Sequence, residues 1–240
     1  MDLKRYIRSF LNVIHLDISK NIEYDRLTKA IIKRTLKSNS NCVDVGCHKG
    51  EILDFFIKYA PNGQHYGFEP IPDLFKSLKD KYTDKANILP YAISNEEGES
   101  TFKFVKNAPA YSGLNLREYN VKSPDIEEIR VELKTLDEII PTNLKIDLIK
   151  IDVEGGEFDV LKGAKNLLLR DKPTIIFECG LGASDYYGTN PADIYQFITN
   201  EAGLRISTLK SFIKGNQPLS QSNFENLFYR KVEYYFVAHE

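Results

Sequence analysis

Short apolar segments alternate with amphipathic helical patterns through the middle of the chain, and this alternation constrains the fold more than any other feature. The predicted order is strand 42–45, helix 51–60, strand 64–68, helix 72–82, strand 87–91, strand 146–151, helix 156–169 and strand 174–177. Parallel strands need a crossover connection, which is usually a helix, so this order indicates a parallel sheet covered by helices. The sequence therefore predicts an α/β fold.

The segments on either side of this core follow other patterns. Residues 3–37 carry apolar positions at helical spacing, which predicts two leading helices and an N-terminal helical extension over 1–40. Residues 98–135 break the alternation and predict an edge region or a lid over the site. The tail predicts a helix at 191–201, a strand near 204–209, a polar loop at 214–223 and a final antiparallel strand at 232–238. No repeat or linker divides residues 41–240, so we expect one domain.

Composition and cysteine usage exclude several classes of protein. With 42% hydrophobic and 28% charged residues, the chain is expected to form a packed globular fold. Its net charge of -2 gives no reason to expect a nucleic-acid partner. Cys42, Cys47 and Cys179 form no paired spacing, which argues against a disulfide framework or a structural zinc site. No stretch predicts a transmembrane helix or a signal peptide, so a cytoplasmic protein is expected.

A glycine loop follows the first predicted strand and opens the first crossover helix. Ligands of open α/β sheets bind at the carboxyl ends of the strands, where Gly46 and Gly50 let the backbone approach a ligand closely. The dinucleotide pattern G-x-G-x-x-G is not met, because His48 and Glu51 occupy its second and third glycine positions. The loop suits adenosylmethionine, which has no phosphate, better than NAD. Asp44 offers a carboxylate for the ammonium group of such a ligand.

A second carboxylate ends the next predicted strand. Glu69 lies 23 residues after Gly46 and directly precedes Pro70. At that sheet edge its two oxygens can accept hydrogen bonds from both hydroxyls of a ribose. The alternative is an ordinary glycine turn and a surface carboxylate, but two such features at successive strand ends favour a nucleoside site.

A group of charged residues follows the strand predicted at 146–151. Period-two alternation places Lys150, Asp152 and Glu154 on one face. These groups can accept a substrate proton, hold a metal ion or pair with one another, and the residues alone leave the three roles open. Glu157 opens the next predicted helix, where capping by the helix dipole explains it as well as chemistry does.

A divalent metal is a further role for this group, though not the favoured one. Asp152 and Glu178 would end neighbouring strands and offer hard oxygen ligands. The sequence shows no third ligand, so no metal site is assigned.

Three motifs resemble the FkbM family of methyltransferases. They are the loop at 44–50, the strand end at 68–70 and the segment at 147–164, and the resemblance covers roughly residues 42–180. Smaller similarities lie at 92–94 and 177–178. The resemblance implies a Rossmann-like class I methyltransferase sheet, mostly parallel with an antiparallel last strand and with helices on both faces.

The resemblance also implies a reaction, which is O-methylation of a hydroxyl on a sugar, a glycan or a natural product with S-adenosylmethionine as the methyl donor. The acceptor would lie near Lys150, Asp152 and Glu154, under the segment 107–120. Glu154 or Asp152 would act as the base and Lys150 would position the substrate. The segment that would cover the acceptor includes Tyr111 and Ser112. The residues expected to bind the cofactor are Asp44, Gly46, Cys47, His48, Gly50, Glu69, Pro70, Ala92, Ile93 and Asp152.

Two other functions stay open from the residues. An NAD(P)-dependent oxidoreductase would use the same sheet edge, although the glycine pattern is absent. A non-catalytic nucleoside-binding protein would keep the fold without the chemistry. We expect a small-molecule or glycan acceptor, and a homo-oligomer remains open. The basic N-terminal helices also suggest docking on a partner subunit or on an anionic membrane surface.

Overall fold

The computed structural model describes residues 20–119 and 121–240. The first of the two predicted leading helices lies outside these residues. The strands are β1 (Cys42–Val45), β2 (His65–Phe68), β3 (Asn87–Leu89), β4 (Tyr91–Ile93), β5 (Gly98–Val105), β6 (Ile126–Lys134), β7 (Leu148–Ile151), β8 (Thr174–Glu178), β9 (Arg205–Thr208) and β10 (Tyr235–His239).

A seven-stranded sheet with the order β3-β2-β1-β7-β8-β10-β9 forms the centre of the fold. Strands β3, β2, β1, β7 and β8 pair in parallel, and β10 runs antiparallel to both β8 and β9. The predicted sheet, mostly parallel with an antiparallel last strand, is therefore confirmed. The carboxyl ends of β1, β2, β7 and β8 meet at one edge of this sheet.

Helices cover both faces of the central sheet. They are α1 (Lys20–Thr35), α2 (Glu51–Tyr59), α3 (Pro72–Lys81), α4 (Leu136–Ile139), α5 (Glu157–Lys162), α6 (Lys165–Asp171), α7 (Pro191–Gln196), α8 (Leu209–Lys214) and α9 (Gln221–Tyr229). Val43 and Ile149 belong to one buried cluster with residues of α5, α6, α7 and α9. Cys42 and Leu148 face the other way and belong to the cluster with residues of α1, α2 and α8. This alternation follows from the two-residue period of a strand.

Two predicted elements are each divided in the structure. The strand predicted at 87–91 breaks at Pro90, which has no N–H to donate, and β4 joins a second sheet instead. The helix predicted at 156–169 breaks at Gly163, where a Cβ would lie 2.0 Å from the Ser94 carbonyl oxygen. The close approach of the Ser94 backbone explains why glycine occupies this junction.

The region predicted as an edge or lid is largely a second sheet, with the order β4-β6-β5. The predicted strand near 204–209 and the final antiparallel strand are present as β9 and β10. The predicted helix at 191–201 is present as α7, followed by a π-helical turn at Phe197–Glu201. The polar loop predicted at 214–223 is wrong in part, because α9 begins at Gln221 behind a Ser220 side-chain cap. In the described part of the chain, no helix is long and apolar enough to span a membrane.

Candidate functional site

The turn after β1 folds tightly over the ends of β2 and β7. Gly46 has a φ of 81°, and a Cβ there would lie 2.0 Å from the Asp152 carbonyl oxygen. The N–H groups of Gly46 and Cys47 both donate to the Phe68 carbonyl oxygen, at 3.1 and 3.0 Å. Only glycine fits this turn, both for its backbone conformation and for its contact with the chain that follows β7.

Glu69 is held at this edge by the backbone of two loops. Its Oε2 accepts the N–H of His48 at 2.8 Å, and its Oε1 accepts the N–H of Ile71 at 3.0 Å. Burial raises the pKa of Glu69 to about 7, against the lowering effect of these two hydrogen bonds. The carboxylate therefore faces the glycine turn in one fixed orientation.

Asp44 lies in β1 and is buried beneath the same turn. Its Oδ2 has no hydrogen-bond partner among the described residues. Burial raises the pKa of Asp44 to about 7, Lys150 opposes that shift, and the charges of Asp152 and Glu69 add to it. This is a costly position for a carboxylate unless something cationic lies nearby.

One cavity of about 180 Å³ opens at this edge of the sheet. Its walls come from the β1 turn, the ends of β2 and β4, the segment around 109–114, the turn after β7 and Tyr187. The predicted site residues that line it are Gly46, His48, Glu69, Pro70, Ala92, Ile93, Ser112, Asp152 and Glu154. The predicted site residues outside its lining are Asp44, Cys47, Gly50, Tyr111, Lys150 and Glu178.

Some predicted cofactor residues serve the scaffold around the cavity. The Cys47 side chain is buried, with Sγ 3.3 Å from the Asp44 carbonyl oxygen. Gly50 is the N-cap of α2, and its carbonyl oxygen accepts a hydrogen bond from the Tyr82 hydroxyl at 2.5 Å. A Cβ at Gly50 would lie 2.4 Å from that hydroxyl oxygen, so this glycine makes room for Tyr82.

Asp152 accepts hydrogen bonds from three side chains. Lys150 Nζ lies 2.8 Å and the Tyr235 hydroxyl 2.5 Å from its Oδ2, and Glu178 is the third partner. Burial alone would raise the pKa of Asp152, but the Lys150 charge and these hydrogen bonds hold it below its usual value. Burial and the Asp152 charge raise the pKa of Glu178 well above its usual value. Glu178 is therefore protonated and donates, while Asp152 is ionised.

Glu154 also lies near Asp152, but not because of the strand alternation from which it was predicted. The strand ends at Ile151, and Glu154 lies in the following turn with a φ of 61°, so the period-two alternation does not extend to it. Even so, carboxylate oxygens of Asp152, Glu154 and Glu178 lie within 4.8 Å of one another. Glu154 forms an ion pair with Arg117.

Glu157 stabilises the turn that carries Glu154. Its Oε1 accepts the N–H of Val153 at 2.9 Å and the N–H of Gly155 at 3.1 Å. Burial raises its pKa to about 7, against these backbone hydrogen bonds. Its contacts are those of a capping residue rather than of a group that faces the cavity.

Glu154 lies near Asp152 and Glu178 and is therefore the third candidate metal ligand, which the sequence did not reveal. Two of the three already have cationic partners, since Lys150 contacts Asp152 and Arg117 contacts Glu154. A divalent cation would have to displace both partners before it gained these oxygens. The carboxylates form ion pairs with these cations, and a metal role for Asp152 and Glu178 stays an untested prediction.

Three residues of the site were missed by sequence reasoning. Arg117 lies in the irregular segment before β6, and nothing in its local pattern marks it. Tyr235 begins β10 and pairs with Glu178 in the strand register, which only the sheet order reveals. Tyr187 lies in a short 3₁₀ helix after β8 and lines the cavity.

Comparisons with known proteins show the family of the chain and its fold. The sequence model of one family, described as the methyltransferase FkbM domain, matches residues 44–206. The 2-O-methyltransferase NoeI of Sinorhizobium fredii is 25% identical over 162 residues, which cover 61% of this chain and 66% of NoeI. The methyltransferase sdnD of Sordaria araneosa is 26% identical over 159 residues, which cover 53% of this chain and 61% of sdnD.

A third relative is the AMB antimetabolite synthetase AmbE of Pseudomonas aeruginosa, 26% identical over 172 residues that cover 57% of this chain and 8% of AmbE. The chain thus spans less than two thirds of the length of each of these relatives. Among solved structures, the crystal structure of the methyltransferase FkbM from Methylobacillus flagellatus KT is similar, with a TM-score of 0.53 and 15% identity. The superposition covers 85% of this chain and 44% of that one, and it shows a shared fold.

Proposed function

The chain belongs to the FkbM family of methyltransferases, and from that premise we propose that it transfers the methyl group of S-adenosylmethionine to a hydroxyl oxygen of a sugar, a glycan or another natural product. One observation carries the proposal: a single cavity is lined by the glycine turn and Glu69 and also by Asp152 and Glu154. A nucleoside and a hydroxyl acceptor would meet in such a cavity. The name of the relative NoeI, a 2-O-methyltransferase, supports oxygen as the accepting atom.

The donor would lie between the glycine turn and β4. Each Glu69 oxygen accepts one backbone N–H and keeps a second lone pair for a ribose hydroxyl. Pro70, Ala92 and Ile93 line the cavity beside it and offer apolar surface to an adenine ring. The buried carboxyl group of Asp44 adds negative charge behind the turn when ionised, which favours a cationic donor.

On the acceptor side, we assign the base to Glu154. Asp152 already accepts from three donors, so a proton transferred to it would have to break that network. Glu154 lines the cavity and has one ionic partner, Arg117. Lys150 does not line the cavity, and its contact with Asp152 makes it a residue that fixes the charge of the site.

Adenosylmethionine supplies a methyl group already activated on a sulfonium, so the residues of the chain must align the acceptor oxygen and remove its proton. In the proposed reaction the new bond would join the acceptor oxygen to the methyl carbon, and the carbon–sulfur bond would break with its electron pair on sulfur. The acceptor proton would pass to the Glu154 carboxylate.

Calorimetric titration with adenosylmethionine and with adenosylhomocysteine tests the donor site. We expect the wild type to bind both, and Glu69→Gln to bind about tenfold or more weakly, since a hydrogen bond to a charged group contributes about 1.5–3 kcal/mol. Glu51→Gln is the matched control, because Glu51 is an exposed carboxylate of the next helix and does not line the cavity. Wild-type protein that binds neither compound but binds NAD(H) would overturn the proposal.

The acceptor class is tested with a panel of methyl glycosides of neutral hexoses and deoxyhexoses, with methylated products detected by mass spectrometry. Glu154→Gln should lose most of the turnover and keep adenosylhomocysteine affinity, because it retains the shape of the side chain but cannot take a proton. Turnover of Glu154→Gln at the wild-type rate would remove Glu154 as the base.

The proposal also covers where the protein acts and on what. Cys42, Cys47 and Cys179 are all free and buried, which supports the reducing environment of a cytoplasm. The acceptor in this proposal is a small molecule or a glycan, held in the same cavity as the nucleoside, beside Asp152 and Glu154.

A further inference from the structure

Tyr187 fills a slot formed by the glycines of the turn after β7. A Cβ on Gly155 would lie 2.7 Å from its ring, and a Cβ on Gly156 would lie 3.2 Å from the same ring. Gly155 also has a φ of 115°. A side chain on Gly155 would meet the Ala183 carbonyl oxygen at 2.6 Å as well as the Tyr187 ring, while at Gly156 the ring is the nearest neighbour.

The hydroxyl end of Tyr187 reaches the segment that covers the cavity. We call residues 107–118 the lid segment. Its Asn115 N–H donates to the Tyr187 hydroxyl oxygen at 3.0 Å. A Cβ on Gly113 would lie 2.9 Å from that oxygen, so a third glycine allows the close approach.

Arg117, two residues after Asn115 in the lid segment, brings a positive charge to the site. Arg117 pairs with Glu154 and lies over the Tyr111 ring at 5.3 Å, with its side chain only 13% exposed. The next residue is anchored as well, since the N–H of Glu118 donates to the Gly182 carbonyl oxygen at 3.0 Å. The position of Arg117 therefore depends on how the lid segment meets the chain after β8.

From these contacts we propose that Tyr187 is a positioning residue: it docks the lid segment on the turn after β7, holds Arg117 against Glu154 and so assembles the acceptor half of the cavity. The inference rests on the proposed function, because it assigns Glu154 to the acceptor. It is specific to that half, since Tyr187 contacts neither Glu69 nor the glycine turn after β1 in any hydrogen bond of the described residues.

Tyr187→Phe isolates the docking hydrogen bond. The ring still fills the glycine slot, so the fold is kept, while the Asn115 N–H loses its acceptor. We expect the amide of Asn115 to exchange about tenfold faster in residue-resolved hydrogen exchange, because an unmade hydrogen bond of this kind costs about 1–3 kcal/mol. Tyr186→Phe is the matched control: Tyr186 is the preceding residue, is 50% exposed and should leave the exchange unchanged.

The same variants test the consequence for the acceptor. With the best glycoside of the panel, Tyr187→Phe should raise the acceptor KM about tenfold, while calorimetry should show adenosylhomocysteine bound as in the wild type. Tyr187→Ala empties the slot and should raise the KM further. If Tyr187 had a purely structural role, Tyr187→Phe would weaken the binding of both the acceptor and adenosylhomocysteine and would have a lower thermal midpoint.

Three outcomes overturn the inference. Unchanged Asn115 exchange in Tyr187→Phe removes the docking contact. Faster exchange with an unchanged acceptor KM removes its role in the site. Equal loss of acceptor and adenosylhomocysteine binding makes Tyr187 a residue of the general scaffold. Failure of the wild type to bind either adenosyl compound is a failure of the proposed function, and the Asn115 measurement then still decides whether Tyr187 docks the lid segment.

Discussion

At the scale of single residues, the site is built from carboxyl groups held in different protonation states. Glu178 is protonated, while Asp152 is ionised by the charge of Lys150 and by three hydrogen bonds. The difference arises because the Lys150 charge and the hydrogen bonds dominate at Asp152, whereas burial and the Asp152 charge dominate at Glu178. Neighbouring carboxyl groups can therefore carry distinct roles, with Asp152 holding a fixed negative charge beside Lys150 and Glu154 proposed as the base.

Asp44 gives a prediction of pH-dependent stability. Its pKa rises from 3.8 in the unfolded chain to about 7, mainly through burial. Because the unfolded state releases this proton at lower pH than the native state, the free energy of unfolding falls as the pH rises between these two values. Asp44→Asn lacks this fall, so its stability relative to wild type should increase by up to about 4 kcal/mol across that window.

Urea unfolding at several pH values from 4 to 8 measures this difference, with Glu51→Gln as a control whose curve should run parallel to the wild type. A constant offset between Asp44→Asn and wild type would contradict the prediction. The same variant should bind adenosylmethionine more weakly, because it loses negative charge behind the glycine turn.

At the scale of elements, the local patterns were readable and the contacts between distant elements were not. The strand–helix alternation and the glycine turn arise from neighbouring residues, so the sequence predicted β1, β2, β7, β8 and the turn at Gly46. Arg117 reaches Glu154 across 37 positions of chain, and only the docking of the lid segment brings them together. No periodicity encodes such a contact.

The errors in the predicted secondary structure also arise from contacts between distant elements. The Pro90 break was visible as a residue type, but its effect, a change of strand from one sheet to another, depends on pairing with β6. The division between α5 and α6 depends on the approach of the Ser94 backbone to Gly163. In both places a tertiary contact decides an element boundary.

The junction between α5 and α6 provides a stability test. Gly163→Ala introduces a Cβ 2.0 Å from a backbone oxygen that cannot yield cheaply. We expect a loss of about 3 kcal/mol in the free energy of unfolding, the upper end of the range for an overpacked interior. Gly188→Ala is the comparison, because it has open space around it and a φ of 68°, so it carries only the backbone cost of about 1 kcal/mol. Equal losses in the two variants would contradict the clash.

At the scale of the whole molecule, the parallel strands and the antiparallel strand β10 both contribute residues to the site. The parallel strands bring their carboxyl ends to one edge, and β10, which runs the other way, brings its first residue to that same edge. The helix α1 belongs to the fold rather than to a detachable arm, because Leu27, Ile31 and Ile32 lie in a buried cluster with α2 and α8. Deletion through residue 37 would therefore test folding before it tested membrane or partner docking.

Binding of the proposed donor product should stabilise the whole molecule. Adenosylhomocysteine at about 100 times its Kd should add about 2.7 kcal/mol to the free energy of unfolding, which is about 5–10 °C in Tm for a chain of this size. Glu69→Gln should show a smaller shift at the same concentration. A shift of equal size in both proteins would mean that the ligand binds elsewhere.

The antiparallel return of β10 also orders events in time during synthesis. Asp152 leaves the ribosome 83 residues before Tyr235, the tyrosine that completes its set of donors. At ordinary elongation rates that separation lasts about 4–17 s. A nascent chain thus presents the glycine turn and the Asp152 carboxylate several seconds before it has Tyr235, so the site that we propose is complete only once β10 has been made.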